Sequence, residues 1–179
     1  MLSTDNTVLL VVDIQTRLLP SIHNHEKLAQ KTTACITGCK LLGIPIIVLQ
    51  QYTKGLGETI PALQAALGDF KPIEKITFSA YQTKEFADNL KHHDKKNVII
   101  TGIEAHICVQ MTALELLTAG YNVYVAADCI GSRKETDQQY AEHRMRQAGA
   151  VITTLESILF ELLVKADHPM RKEITKLIT

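Results

Sequence analysis

Residues 97–109 read Asn97-Val98-Ile99-Ile100-Thr101-Gly102-Ile103-Glu104-Ala105-His106-Ile107-Cys108-Val109. The run opens with apolar residues that are consecutive rather than alternating, the pattern of a strand covered on both faces. Residues 110–119 then carry helical spacing, so Cys108 falls in the first turn of a helix fed by a buried strand. Unsatisfied backbone N–H groups in a first turn favour a thiolate, which makes Cys108 a candidate nucleophile. A free cysteine is also at home as a small buried apolar residue. This stretch alone leaves both readings open.

The same grammar recurs along the chain. Val8-Leu9-Leu10-Val11-Val12 and Ile46-Ile47-Val48-Leu49 are further consecutive apolar runs, and the spacing predicts strands over 7–12, 44–50, 73–77, 97–101, 123–127 and 151–153. Helical spacing occupies 25–42, 84–91, 105–119 and 136–148, and Gly43, Gly120 and Gly149 stand where a left-handed helix end favours glycine. Strand-length runs alternating with helices predict an α/β fold: a doubly wound, mainly parallel six-stranded sheet in a three-layer α/β/α arrangement. Residues 51–58 form a glycine-containing loop on the carboxyl side of the second strand, placed to wall a ligand site. The tail from 167 to 179 has a mild amphipathic pattern from Met170, Ile174, Leu177 and Ile178, suited to its own domain or to a neighbour's.

At 179 residues the chain is expected to form one domain over 1–179, large enough to bury a core without staples. Nineteen basic residues against nineteen acidic give zero formal charge, which supplies no footprint for nucleic acid or an anionic membrane. Cys35, Cys39, Cys108 and Cys129 contain no C-x-x-C pair, and Cys35 and Cys39, one helical turn apart, read as helix-face or core residues. Reduced thiols in a cytoplasm are the expectation. The first residues carry no basic segment before the apolar run, which is too short to cross a bilayer.

Asp13 is the first charge after a strand, so it belongs at the carboxyl edge of the sheet, where doubly wound folds bind ligands. If the first and fourth strands are neighbours, Asp13 and Cys108 emerge side by side; the competing reading of Asp13 is a helix N-cap for Ile14 onward. Lys75 stands in the strand-like segment Pro72-Ile73-Glu74-Lys75-Ile76-Thr77, either as an edge-strand charge or turned into a site. Glu74 and Lys75 point to opposite faces, so at most one serves a given pocket. A cation beside Cys108 and Asp13 would favour an ionised thiol and hold the carboxylate.

Three blocks carry a resemblance. Val11-Val12-Asp13-Ile14-Gln15, Glu74-Lys75-Ile76-Thr77-Phe78-Ser79-Ala80 and residues 102–109, with Ala126-Ala127-Asp128, Ser132-Arg133 and residues 142–150, resemble the isochorismatase-like cysteine hydrolase superfamily over essentially the whole chain. The loop at 51–57 and the segment 155–163 resemble its isochorismatase-domain-containing branch. The resemblance implies a metal-free catalytic triad of Asp13, Lys75 and Cys108. In it Cys108 attacks an electrophilic carbon, Asp13 takes the thiol proton and later activates water, and Lys75 orients Asp13. It also implies a cis peptide at Ile103–Glu104, aiming the Glu104 and Cys108 N–H groups at the developing oxyanion. The implied activity is hydrolysis of a small amide, imine or vinyl ether, with no cofactor and with a homo-oligomeric assembly.

Departures narrow the reading. Superfamily members that hydrolyse nicotinamide resemble a pattern with an Asp and several His after the second strand, where this chain has Gln50-Gln51-Tyr52-Thr53-Lys54-Gly55. His23, His25, His92 and His93 read as solvated loop or helix residues, and Ala105 lacks the hydroxyl some relatives carry. Leu18, Leu19, Tyr52, Tyr81 and Ile107 are candidate pocket walls, with core packing an equal reading for the two leucines and Ile107. Tyrosine at a site mouth offers a flat apolar face and a donor. The apolar positions of the tail and of the helix from Leu114 to Leu117 are candidate interface elements. Two other functional classes fit an activated Cys108: a thiol redox or electrophile sensor, and a non-catalytic interaction protein retaining the fold.

Overall fold

The computed structural model describes residues 1–178. Six parallel strands, β1 (Thr7–Val12), β2 (Ile46–Gln51), β3 (Ile73–Lys75), β4 (Asn97–Ile103), β5 (Asn122–Gly131) and β6 (Val151–Thr153), lie in the order β3-β2-β1-β4-β5-β6. Helices α1 (His25–Leu41), α3 (Pro61–Leu67), α7 (Leu155–Leu163) and α8 (Arg171–Ile178) cover one face, while α4 (Lys84–His93), α5 (Gln110–Thr118) and α6 (Glu135–Gln147) cover the other. A short α2 (Thr53–Leu56) follows β2.

The consecutive apolar runs have the cause read from the sequence. Every residue of β1 and β4 is buried, and alternate side chains feed separate cores: Leu9, Val11, Ile99 and Ile103 on one face, Val8, Leu10, Val12, Val98 and Ile100 on the other. β1 leads to β2 on one side and β4 leads to β5 on the other, so the sheet's switch point lies between β1 and β4. There the backbones approach closely. Gly102 has φ +127°, and a Cβ on it would stand 2.1 Å from the Val12 carbonyl oxygen.

Several predicted boundaries shift. β3 ends at Lys75 rather than 77, because the next residues turn to bring their carbonyls onto the Lys75 ammonium. Residues 105–109 form a π-helical turn rather than the first turn of α5. β5 continues past 127 to Gly131 through a break in register opposite β4 between Ile100 and Gly102. Helices α3 and α7 lie outside the predicted helical stretches; both are short, and Pro61 and the Thr154 cap mark their starts only locally.

The tail packs on its own chain. Ile174 is fully buried among residues of the first core, joined by Met170, Leu177 and Ile178, and Leu116 of α5 is buried in the second. The tail residues, candidates for an interface from sequence, are engaged within the fold, whereas Leu114 and Leu117 of α5 are half-buried. Cys35, Cys39 and Cys129 meet in the first core, with Cys35 in hydrogen-bonding reach of the other two.

Candidate active site

Asp13 leaves β1 in a left-handed conformation, φ 53°, with its N–H donating to the Leu49 carbonyl at 3.3 Å. No helix starts at Ile14, so the N-cap reading fails. Instead the side chain turns inward, and Lys75 Nζ donates to its Oδ2 at 2.7 Å with both side chains closed to solvent. Glu74 points the other way, accepting from the Thr53 N–H at 2.8 Å. The Lys75 ammonium donates further to Gln51 Oε1 at 2.6 Å and reaches the carbonyls of Thr77 at 3.3 Å and Phe78 at 3.4 Å. A buried cation needs such a ring of acceptors, since desolvation without partners is prohibitive.

Cys108 lies in the π-helical turn after β4 and is buried beside this pair. Burial pushes its thiol up to about 12, the Asp13 carboxylate adds to the rise, and the Lys75 ammonium opposes it. The first-turn expectation of a depressed thiol is thereby reversed: loss of water outweighs the N–H groups of the turn. Burial raises Asp13 as well, against the lowering effect of Lys75. Asp13 Oδ1 is buried without a hydrogen-bond partner, an available acceptor within the cluster.

The Ile103–Glu104 peptide is cis. The Glu104 carbonyl accepts from the N–H groups of Ile107 at 3.0 Å and Val109 at 3.2 Å, closing the turn that holds Cys108.

A profile of the Isochorismatase domain matches residues 7–157, from β1 into α7. The chain belongs to the isochorismatase domain family. Isochorismatase domain-containing protein 2 of Danio rerio is 39% identical over 99% of this chain and 89% of its own length. Among solved structures, MAR1 ribonuclease from Caenorhabditis elegans superposes with a TM-score of 0.93 at 39% identity, covering 99% of this chain and 91% of that one. The YcaC gene product of Escherichia coli, an octameric hydrolase of unknown specificity, gives a TM-score of 0.89 at 28% identity, over 98% and 86%.

Within this isochorismatase-family fold, the other candidate residues are dispersed. Leu19 is buried in the first core, and half-buried Leu18 packs against it. Tyr81 meets Tyr121 edge-on at 6.4 Å between ring centroids, just before β5 begins and therefore at the opposite edge of the sheet from Asp13. Ile107 is half-buried against the second core, next to Cys108. Tyr52 is exposed in a left-handed conformation, φ 38°, its ring folded over Gly55.

Sequence reasoning passed over the polar frame around the cluster. Gln15 is fully buried; its amide donates to the carbonyls of Gln51 at 3.0 Å and Gly57 at 2.6 Å and accepts from the Gln51 N–H at 2.7 Å. It locks the end of β2, and with it Gln51, against the strand-end loop after Asp13. Gln15 stands two residues after Asp13 in the first resembling block, but a neutral amide there does not disclose which carbonyls it will bridge. An open depression of about 430 Å³ lies outside Lys75, lined by Glu74, Ile76, Thr77, Gln82 and Thr83. Another concavity, of about 360 Å³ between the start of α1 and α6, contains none of the three clustered residues. Among the described residues no His, Cys, Asp and Glu group suited to a metal occurs, and no helix is long and apolar enough to cross a membrane.

Proposed function

We propose that this protein hydrolyses a small molecule with an electrophilic carbon of the amide, imine or vinyl-ether type, using Cys108 as nucleophile and Asp13 and Lys75 as its partners. The observation that carries this reading is the buried 2.7 Å contact between Lys75 and Asp13 beside the Cys108 thiol. A raised thiol is a poor nucleophile until a base removes its proton, and a carboxylate raised by burial is a better base than one in water. With an amide, Asp13 takes the thiol proton while Sγ attacks the carbonyl carbon, and the negative charge moves to oxygen. The Glu104 and Cys108 N–H groups receive that oxyanion. Collapse breaks the C–N bond, the proton on Asp13 passes to the departing amine, and a thioester remains. Asp13 then deprotonates water, which adds to the thioester; the C–S bond breaks, Asp13 returns the proton to the departing sulfur, and the acid and the free thiol are released. Lys75 keeps Asp13 oriented throughout and favours its ionised form before each proton transfer.

The raised thiol favours this reading over a redox or electrophile sensor, which needs a standing thiolate. Zero formal charge favours a small substrate over RNA, although one relative is a ribonuclease. Assembly of several copies is supported by the octameric relative and by Ile76 and Phe78, 80% and 56% exposed beside Lys75. Purified protein would be incubated with amide, imine and vinyl-ether libraries and with RNA, and adducts sought by intact mass spectrometry. An acyl adduct on Cys108, with turnover absent in Cys108→Ala, is the expected result. Turnover retained in a folded Cys108→Ala would overturn the reading.

A further inference from the structure

The turn carrying Cys108 is tied at two points to the connection that follows β5. Gly131, the last residue of β5, pairs with Ile103 at the end of β4, and this places Ser132 and Arg133 beside residues 104–106. Arg133 Nε donates to Glu104 Oε2 at 2.8 Å, at the cis peptide. His106 Nδ1 and Ser132 Oγ share a hydrogen bond of 2.8 Å, while His106 Nε2 lies 4.0 Å from Asp137 Oδ2 on α6. Ser132 is buried, and its carbonyl accepts from the His23 N–H at 3.0 Å, so the anchor is itself fixed to the segment before α1.

Resting on the reading of Cys108 as nucleophile, we propose that His106, through its bond to Ser132, is a positioning residue that holds the Cys108 turn against Asp13 and Lys75. Neither His106 nor Ser132 has a role in the bond-making described above. A two-residue offset separates His106 from Cys108 within one five-residue π turn, so the imidazole's anchorage sets where the thiol stands relative to the ion pair. The Arg133–Glu104 pair restrains the start of the same turn, but its guanidinium is largely exposed and solvent weakens the contact. The buried Ser132 hydroxyl is the firmer anchor.

The pH dependence of Cys108 alkylation by iodoacetamide, followed site by site by peptide mass spectrometry, tests this without knowledge of the substrate. In the wild-type protein the midpoint should lie near the raised value of about 12, and Asp13→Asn should lower it by removing a charge that raises the thiol. Ser132→Ala and His106→Leu should each lower the midpoint by at least one pH unit toward 9.0, the value of an ordinary thiol, as the turn leaves the buried cluster. His106→Asn, which keeps a polar atom where Nδ1 stands, should retain the wild-type midpoint; His106→Gln, which reaches only toward Asp137, should not. Circular dichroism would establish that each variant is folded. Wild-type profiles in Ser132→Ala and His106→Leu, or identical profiles in His106→Asn and His106→Leu, overturn the positioning role while the Asp13→Asn shift leaves the nucleophile reading standing. A Cys108 profile indifferent to Asp13→Asn overturns both.

Discussion

Lys75 Nζ and Asp13 Oδ2 are 2.7 Å apart across a gap of 62 residues in sequence, in a place solvent does not reach. The pair brings the edge strand β3 to the switch point between β1 and β4, past the end of β2. Its energetics follow from burial. Two ions removed from water gain little over a well-packed apolar pair, but one ion left alone there is costly.

Lys75→Met should therefore destabilise the fold by about 3–5 kcal/mol at neutral pH, the usual range for orphaning a buried partner. The deficit should shrink in acid, as Asp13 takes up a proton. The double variant Asp13→Asn with Lys75→Met should be more stable than Lys75→Met alone. Urea midpoints across pH for all four members of the cycle check the coupling.

Burial holds Asp13 above its ordinary value of 3.8. Across the interval from 3.8 up to the raised value the native state keeps a proton that the unfolded chain has released. The contribution of this group is therefore complete below 3.8 and lost as pH rises through the interval. Asp13→Asn lacks that slope. Its stability relative to wild type should improve from below 3.8 towards neutrality, as read from denaturation curves at matched ionic strength, and a constant difference would contradict the raised carboxyl.

Gly102→Ala places a Cβ 2.1 Å from the Val12 carbonyl oxygen at φ +127°. Neither backbone can yield without parting β1 from β4, so a loss of about 3 kcal/mol or more is expected. The variant should also be alkylated faster at Cys108 at neutral pH, because Asp13 and Cys108 leave those two strands and parting them removes the burial and the carboxylate that raise the thiol. Thermal melts paired with peptide-level alkylation would measure both effects.

Ile174→Ala removes a fully buried side chain that fixes α8 to α1. Truncations of this kind cost about 2–5 kcal/mol. Because the contact lies within one chain, the shift in melting temperature should be the same at low and high protein concentration. A concentration-dependent shift would place the tail's apolar face on a neighbouring copy instead.

The amino-acid sequence determined the layers of this protein and the carboxyl ends of β1 and β4, after which Asp13 and Cys108 follow. Consecutive apolar residues in β1 and β4 require cover on both faces, and charges immediately after such runs can stand only where the sheet ends. These are local consequences of residue type and spacing. Boundaries at 75, 105 and 131 were not legible, because particular polar contacts and strand pairings end or extend those elements: carbonyls drawn to the Lys75 ammonium, a turn closed on the Glu104 carbonyl, and a broken register that carries β5 to Gly131. Tyr81 stands near Lys75 in sequence, yet its ring lies at the far edge of the sheet, because a side chain's direction depends on what it packs against. The ionisation of Cys108 belongs to the tertiary structure most completely. A helix start argues for a lowered thiol, but burial and the Asp13 carboxylate raise it to about 12. Desolvation is a property of the folded surroundings, and no spacing of residues encodes it.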